Sequence, residues 1–188
     1  SPNPAPLGAG GSQVVINEVM AKNFEVTQIG MSNPAGSTPE WVELFNATTG
    51  AVNLADMSLS DDVTMPRKYV FAAGTVMPVG GHLVILCEGD RPASSTNTGF
   101  GIKANGDILY LYDQLANGGS LLDSIGYGVQ AKDFSIGRTP DGSTNWQLTL
   151  PTAGSPNIAA QLGNPTVLRI NEWMADPASG DDWFELCN

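Results

Sequence analysis

The chain has 188 residues, with eight basic side chains against nineteen acidic ones and a formal net charge of −11. Such a charge disfavours binding to nucleic acid or anionic lipid, because like charges repel. The 22 glycines and 13 prolines favour short strands joined by tight turns, and no apolar run approaches the ~18 residues of a membrane span.

The first regular pattern follows a start rich in proline and glycine. Residues 1–12 are expected to form a flexible tether, and Val14–Met20 to form the first strand. Residues 22–40 make a long loop, which we flag as a candidate binding surface. Residues 41–46 carry apolar side chains on both faces at the two-residue period of a strand. This segment is therefore predicted to be an interior strand of a sheet.

The middle of the chain is predicted to be a series of short strands. These are residues 52–54, 57–60, 68–71, 82–87, 107–113, 121–127, 135–138 and 146–148. The clean alternation of 57–60 indicates a half-exposed strand, whereas 82–87 is the most apolar and β-branched run and is expected to be buried on both sides. An Asn-Gly pair before 107–113 and another before 121–127 predict that these two strands form a hairpin. Since no sustained helical period occurs, the predicted fold class is all-β, a two-sheet sandwich.

Two motifs occur twice in the same order, which is the signature of an internal repeat. The sequence INEVMA at 16–21 returns as INEWMA at 170–175, and WVELFN at 41–46 returns as WFELCN at 183–188. The segment between the two motifs differs in length, so it is predicted to be a loop that tolerates insertion. We assign residues 13–157 to a complete module, 158–167 to a linker, and 168–188 to the first two strands of a second, incomplete copy.

These last two strands carry apolar surface that they cannot bury alone, because an isolated pair of strands is marginal in water. The side chains concerned are Leu168, Ile170, Trp173, Met174, Trp183, Phe184 and Leu186. We expect the segment to dock on another copy of the chain or on a neighbouring module, at a sheet edge or by completing a sandwich. Head-to-tail repetition of such a contact would give a fibre or open array. The alternative is that the segment folds back onto its own module.

Several further motifs occur in a fixed order between the two repeats. They are VNL at 52–54, LSDD at 59–62, GGHLVI at 80–85, residues 107–113, GRTPDG at 137–142 and PTAGSPN at 151–157. Together with the repeated motifs, this order resembles the lamin tail domain family over residues 13–157, and residues 168–188 resemble its first two strands. The resemblance implies an immunoglobulin-like β-sandwich without catalytic residues. Bacterial members of the family occur as modules of secreted or surface proteins, often beside hydrolases. The loop at 22–40 is longer than the family pattern.

No active site is predicted from the residues themselves. His82 is the only histidine, and Cys87 lies on the opposite face of the same predicted strand, roughly 16 Å away, so the two cannot form a dyad. No nucleophile elbow, phosphate loop or dinucleotide fingerprint is present. Cys87 and Cys187 have no metal or redox spacing, and Cys87 is expected to be buried and unpaired. We therefore expect the chain not to be an enzyme and to need no cofactor.

Paired acids leave calcium binding open. The weak candidates are Asp61, Asp62, Asp181 and Asp182, because calcium takes six to eight oxygen ligands. The aromatic residues, Tyr110, Tyr112 and Tyr127 among them, are a second possibility, a sugar platform, although strand spacing favours packing instead.

Two function classes follow from these observations. The first is a non-catalytic structural or interaction module of a secreted or cell-surface protein, whose partners are other copies of itself or neighbouring modules. The alternative is a glycan- or calcium-binding accessory module of a secreted hydrolase.

Overall fold

The computed structural model describes residues 13–26 and 37–187. The expected tether at 1–12 and most of the long loop lie outside these residues. The strands are β1 (Val14–Met20), β2 (Trp41–Asn46), β3 (Val52–Asn53), β4 (Ser58–Ser60), β5 (Tyr69–Val70), β6 (Val76–Met77), β7 (His82–Leu86), β8 (Asp107–Tyr112), β9 (Leu121–Tyr127), β10 (Ser135–Arg138), β11 (Trp146–Leu150), β12 (Ile158–Ala159), β13 (Arg169–Met174) and β14 (Trp183–Cys187). Two 3-10 turns span Leu115–Asn117 and Pro165–Val167.

The larger sheet has six antiparallel strands in the order β12-β11-β10-β1-β2-β7. Within it, β1 and β2 form an interior pair that is apolar on both faces, as the two-residue alternation predicted for β2. One face contributes Ile16, Val19, Val42 and Leu44 to the main core. The other face places Met20 and Trp41 in a second apolar cluster with Val84 and Leu86 of β7. The prediction that residues 41–46 form an interior strand is confirmed.

A four-stranded antiparallel sheet, β5-β4-β8-β9, packs against the larger one, and β3 and β6 form a separate pair. Leu59, Leu109, Leu111 and Ile125 of this sheet belong to the same core as the inner face of β1 and β2. The predicted hairpin of β8 with β9 is confirmed. The molecule is thus all-β and has the form of an immunoglobulin-like two-sheet β-sandwich, as predicted.

A buried ion pair joins the two sheets. Arg138 on β10 donates from Nη2 to both carboxylate oxygens of Asp123 on β9, each at 3.0 Å. Arg138 Nε also donates to the carbonyl of Ile16 at 2.7 Å, and Asp123 Oδ2 accepts from the Ile16 amide at 2.8 Å. Removing either partner would leave the other charge buried and unpaired, which is expected to lower the free energy of unfolding.

Three details differ from the sequence prediction. Ser58 and Ser60, predicted to lie on a half-exposed strand, are fully buried. The loop after β4 covers them, because Ser58 Oγ donates to the Pro66 carbonyl and Ser60 Oγ to the Met65 carbonyl. The strand β6 has no counterpart among the predicted strands. Ile158–Ala159, assigned to the linker, instead forms the edge strand β12 of the larger sheet.

Candidate interaction surface

The C-terminal hairpin, defined as residues 168–187, consists of β13 and β14 and their connecting loop. The two strands pair antiparallel, with a register shift between Ile170 and Glu172 that leaves Asn171 at the irregularity. Asn171 Nδ2 donates to Glu185 Oε1 across the pair. An asparagine at a β-bulge thus bonds to a glutamate on the opposite strand.

The C-terminal hairpin has the same pairing as the central β1–β2 pair. There the register shifts between Ile16 and Glu18, and Asn17 Nδ2 donates to Glu43 Oε1 at 2.9 Å. The pairs Ile170/Leu186, Glu172/Glu185, Trp173/Phe184 and Met174/Trp183 correspond to Ile16/Leu44, Glu18/Glu43, Val19/Val42 and Met20/Trp41. The repeated sequence motifs therefore give one local structure twice.

The two hairpins differ in what covers them. All the residues of β1 are buried, and β1 and β2 are flanked by β10 and β7. The seven side chains predicted to form an interaction surface are 41–72% exposed in the C-terminal hairpin. They are Leu168, Ile170, Trp173, Met174, Trp183, Phe184 and Leu186. The described part of the chain does not cover these side chains, so it does not adopt the fold-back alternative.

The apolar residues of the C-terminal hairpin divide between two faces. By register, Ile170, Trp173, Phe184 and Leu186 occupy the positions that face the main core in β1 and β2. Met174 and Trp183 occupy the positions of Met20 and Trp41, which face the second cluster. The C-terminal hairpin is therefore apolar on both faces, like two interior strands of a sheet and unlike a strand at a sheet edge.

Two buried glutamates lie at the centre of the complete module. Glu18 accepts from Ser135 Oγ at 2.5 Å and from the amide and hydroxyl of Thr152, both at 3.1 Å. Glu43 accepts from Asn17 and from the amide of Gly154 at 2.7 Å. The turn at 151–157 therefore closes over the carboxylates. Burial raises the pKa of Glu18 to about 7 and that of Glu43 to about 8, with the hydrogen bonds opposing the change.

His82 and Asp141 extend this cluster. His82 Nε2 lies 3.0 Å from Asp141 Oδ2 and 4.0 Å from Glu43 Oε1. Asp141 Oδ1 accepts from Asn17 Nδ2 and from the amide of Asn157. His82 is at the start of its strand, as expected, but its contact with Asp141 was not predicted. The only signal in the sequence was the Asn-Glu pair repeated in both hairpins, because the other members come from distant segments.

The corresponding glutamates of the C-terminal hairpin, Glu172 and Glu185, are exposed. No segment equivalent to 151–157 or to β10 covers them within residues 13–26 and 37–187. The C-terminal hairpin thus presents two carboxylates next to apolar side chains, in an arrangement that the complete module buries.

The calcium candidates lie in two separate places. Asp61 forms an ion pair with Lys68, and Asp62 accepts from the amide and hydroxyl of Thr64, which lowers its pKa. Asp181 and Asp182 are exposed in the loop between β13 and β14. Among the described residues, no group of three or more histidine, cysteine or acidic side chains is placed to hold a metal ion. Calcium binding stays a hypothesis that this geometry does not favour.

The cysteines are both free, Cys87 buried and Cys187 exposed on β14. The prediction that Cys87 is buried and unpaired is confirmed. The described residues include no helix that is long and apolar enough to cross a membrane.

Comparison with known proteins gives one finding. A family model described as Lamin Tail Domain matches residues 8–129, a range that includes both strands of the central pair and all of the four-stranded sheet. No curated protein and no solved structure matches the chain.

Proposed function

The chain belongs to the lamin tail domain family, and from this premise we propose that it is a non-catalytic structural or interaction module of a secreted or cell-surface protein. Its binding element is the C-terminal hairpin. The partners we propose are other copies of the chain or neighbouring modules of the same polypeptide. Repeated head-to-tail, such contacts would build a fibre or open array.

One observation supports the proposal. The C-terminal hairpin is exposed, whereas the β1–β2 pair, which has the same motifs and the same register, is buried. Complete burial of one large apolar side chain contributes about 1.5–3 kcal/mol. Seven such side chains, each roughly half exposed, would then contribute roughly 5–10 kcal/mol on docking. This is comparable to the entropic cost of association, which is about 4–15 kcal/mol. Backbone hydrogen bonds at the open edges of β13 and β14 would add to it.

The test is the mass of the particle in solution. Light scattering over a concentration series would compare the intact chain with the variant Ile170→Asp/Phe184→Asp and with deletion of residues 167–188. Val129→Asp is the control, because Val129 is an apolar residue outside the hairpin that is even more exposed, at 80%. We expect the intact chain and the control to assemble and the two hairpin variants to remain monomeric. An intact chain that stays monomeric at every concentration would contradict the copy-to-copy form of the proposal.

One observation favours the glycan-binding form of the alternative role as an accessory module. A surface cavity of about 550 Å³ brings together Tyr110 and Tyr127 of the suggested sugar platform with Asp61 and Asp62 of the suggested calcium pair. Aromatic faces beside carboxylates suit a sugar ring. A glycan array and a calcium titration, each repeated with Tyr110→Ala, test this role. An interaction module of the first kind should give no signal in either.

A further inference from the structure

We propose that the 151–157 turn is a pH-sensitive lid. It closes over Glu18 and Glu43 while both carboxyl groups hold their protons, and it opens together with β12 when they lose them. Opening adds residues 151–159 to the connector at 160–167, and it roughly doubles the reach of that connector, because an extended chain spans about 3.5 Å per residue. The inference concerns the lid and the connector alone and holds whatever the C-terminal hairpin binds.

The first step concerns the contacts that hold the turn on the larger sheet. Thr152 donates from its amide and its hydroxyl to Glu18, both at 3.1 Å. The amide of Gly154 donates to Glu43 at 2.7 Å. Residues 154–156 are exposed, so burial of apolar surface contributes little at this part of the turn. The two carboxyls thus accept three of the hydrogen bonds that close it.

A further contact holds the end of the turn. Asn157 donates from Nδ2 to the carbonyls of Asn17 and Arg138, at 3.0 and 2.9 Å. It occupies space that Gly137 leaves open, since a Cβ at that glycine would lie 2.7 Å from Asn157 Nδ2. The strand β12 follows directly and has two residues, both exposed. The turn and β12 are therefore held mainly by polar contacts.

The second step concerns the charges around the two carboxyls. Both glutamates are fully buried, and a buried carboxylate is costly without a cation. The titratable groups that face them are Asp141, from the turn before β11, and His82, from β7. His82 Nε2 is 4.0 Å from Glu43 Oε1 and lies closer to Asp141 Oδ2, at 3.0 Å. Arg138 on β10 pairs with Asp123 instead, and no lysine or arginine among the described residues forms an ion pair with either glutamate.

The third step is the direction of the change with pH. Burial without a paired cation favours the neutral acids and raises the pKa of Glu18 to about 7 and that of Glu43 to about 8. Once the turn is open, water reaches both carboxyls and their pKa values return towards the 4.5 of an ordinary glutamate. Between these values the open form binds fewer protons than the closed form, so a rise in pH favours opening.

The turn opens before the sheets separate, because the two differ in what they bury. The strands β1 and β2 contribute Ile16, Val19, Val42 and Leu44 to the main core. The turn lies at the surface, and segments with few buried apolar contacts open at a lower free energy than the core does. Opening of the turn therefore exposes the carboxyls to water at a smaller cost than unfolding of the module.

Amide hydrogen exchange of the full chain, followed residue by residue by NMR at pH 6 and pH 8, tests the proposal. After correction for intrinsic exchange rates, the amides of Thr152 and Gly154 should exchange faster at pH 8. Exposure of Glu18 alone raises the opening constant about tenfold between these pH values, and exposure of Glu43 as well raises it roughly several hundredfold. At both pH values these amides should exchange faster than the amide of Leu111 on the interior strand β8, which requires unfolding of the module.

Two variants separate the carboxyls from the other contacts of the turn. The double variant Glu18→Gln/Glu43→Gln removes both titrating groups, so the corrected exchange of the turn should no longer depend on pH. Gly137→Ala places a Cβ against Asn157 and should speed exchange of the turn at both pH values while leaving their ratio unchanged. Glu172→Gln is the matched control, because Glu172 is the exposed counterpart of Glu18, and it should behave as the wild type does.

The wild-type measurement alone can overturn the proposal, even if the double variant does not fold. Amides of the turn that exchange no faster than that of Leu111 would show that the turn opens only when the module unfolds. Equal corrected rates at pH 6 and pH 8 would show that the carboxyls do not control it. A double variant that folds and keeps the wild-type dependence on pH would also contradict the proposal. None of these results bears on the proposed function, which the light-scattering series tests separately.

Discussion

The buried glutamates predict that the free energy of unfolding falls as the pH rises from 5 to 8. Both carboxyls have raised pKa values in the folded chain, about 7 for Glu18 and about 8 for Glu43, against 4.5 for an ordinary glutamate. In the unfolded chain they lose their protons near pH 4.5. Between that pH and about 7–8 the folded chain binds more protons than the unfolded one, and stability therefore declines with pH.

The size of the decline follows from the same values. A displacement of one pKa unit corresponds to about 1.4 kcal/mol. The displacement of Glu18 from 4.5 to about 7 would then contribute roughly 3 kcal/mol, and that of Glu43 from 4.5 to about 8 roughly 5 kcal/mol. Burial is the largest cause of both displacements, so the two contributions are largely independent. Part of each displacement lies below pH 5, and we therefore expect a total loss of roughly 6 kcal/mol between pH 5 and pH 8, a large fraction of the stability of a domain this size.

The assay is urea denaturation followed by circular dichroism at one-unit intervals from pH 5 to pH 8. Glu43→Gln removes one titrating group and should reduce the dependence on pH by about half, although its amide would face the donor amide of Gly154 and lower the stability at every pH. Glu172→Gln is the matched control, because Glu172 is the exposed counterpart of Glu18. A stability that is flat from pH 5 to pH 8, or a Glu43→Gln slope equal to that of the wild type, would refute the reasoning.

Three other perturbations probe the core, the ion pair and the thiols. Arg138→Ala should lower the free energy of unfolding by about 3–5 kcal/mol, because it leaves Asp123 buried without its cation; urea denaturation at pH 6 measures this, and a loss below 1 kcal/mol would count against it. Val19→Trp should cost about 1–3 kcal/mol or more by overpacking, because Val19 is fully buried in the main core, and an unchanged midpoint of urea denaturation would contradict this. Iodoacetamide should modify exposed Cys187 in the native chain and Cys87 only after unfolding, since burial raises the pKa of the Cys87 thiol; mass spectrometry that finds Cys87 alkylated under native conditions would contradict this.

The sequence predicted those features of the fold that depend on neighbouring residues. Alternation along 41–46 located an interior strand, and Asn-Gly turns located the β8–β9 hairpin, because strand period and turn chemistry are local. The burial of Ser58 was not predictable in this way, since it depends on a loop that crosses the strand and accepts from its hydroxyl. The cluster around Glu18 and Glu43 was not predicted for the same reason. Glu18 and Thr152 are 134 residues apart in the chain, and no pattern within a short window joins them.

The repeated hairpin separates what local sequence determines from what the rest of the chain determines. Both hairpins have the same register, the same irregularity at an asparagine, and the same asparagine-to-glutamate bond, so the motifs themselves suffice for the local structure. The burial of the two hairpins differs completely. The β1–β2 pair is covered by β7, β10 and the 151–157 turn, whereas no part of the described chain covers the C-terminal hairpin. Two strands without such cover are only marginally stable in water. Docking of the C-terminal hairpin should therefore also order it, and the free energy of ordering is subtracted from the affinity.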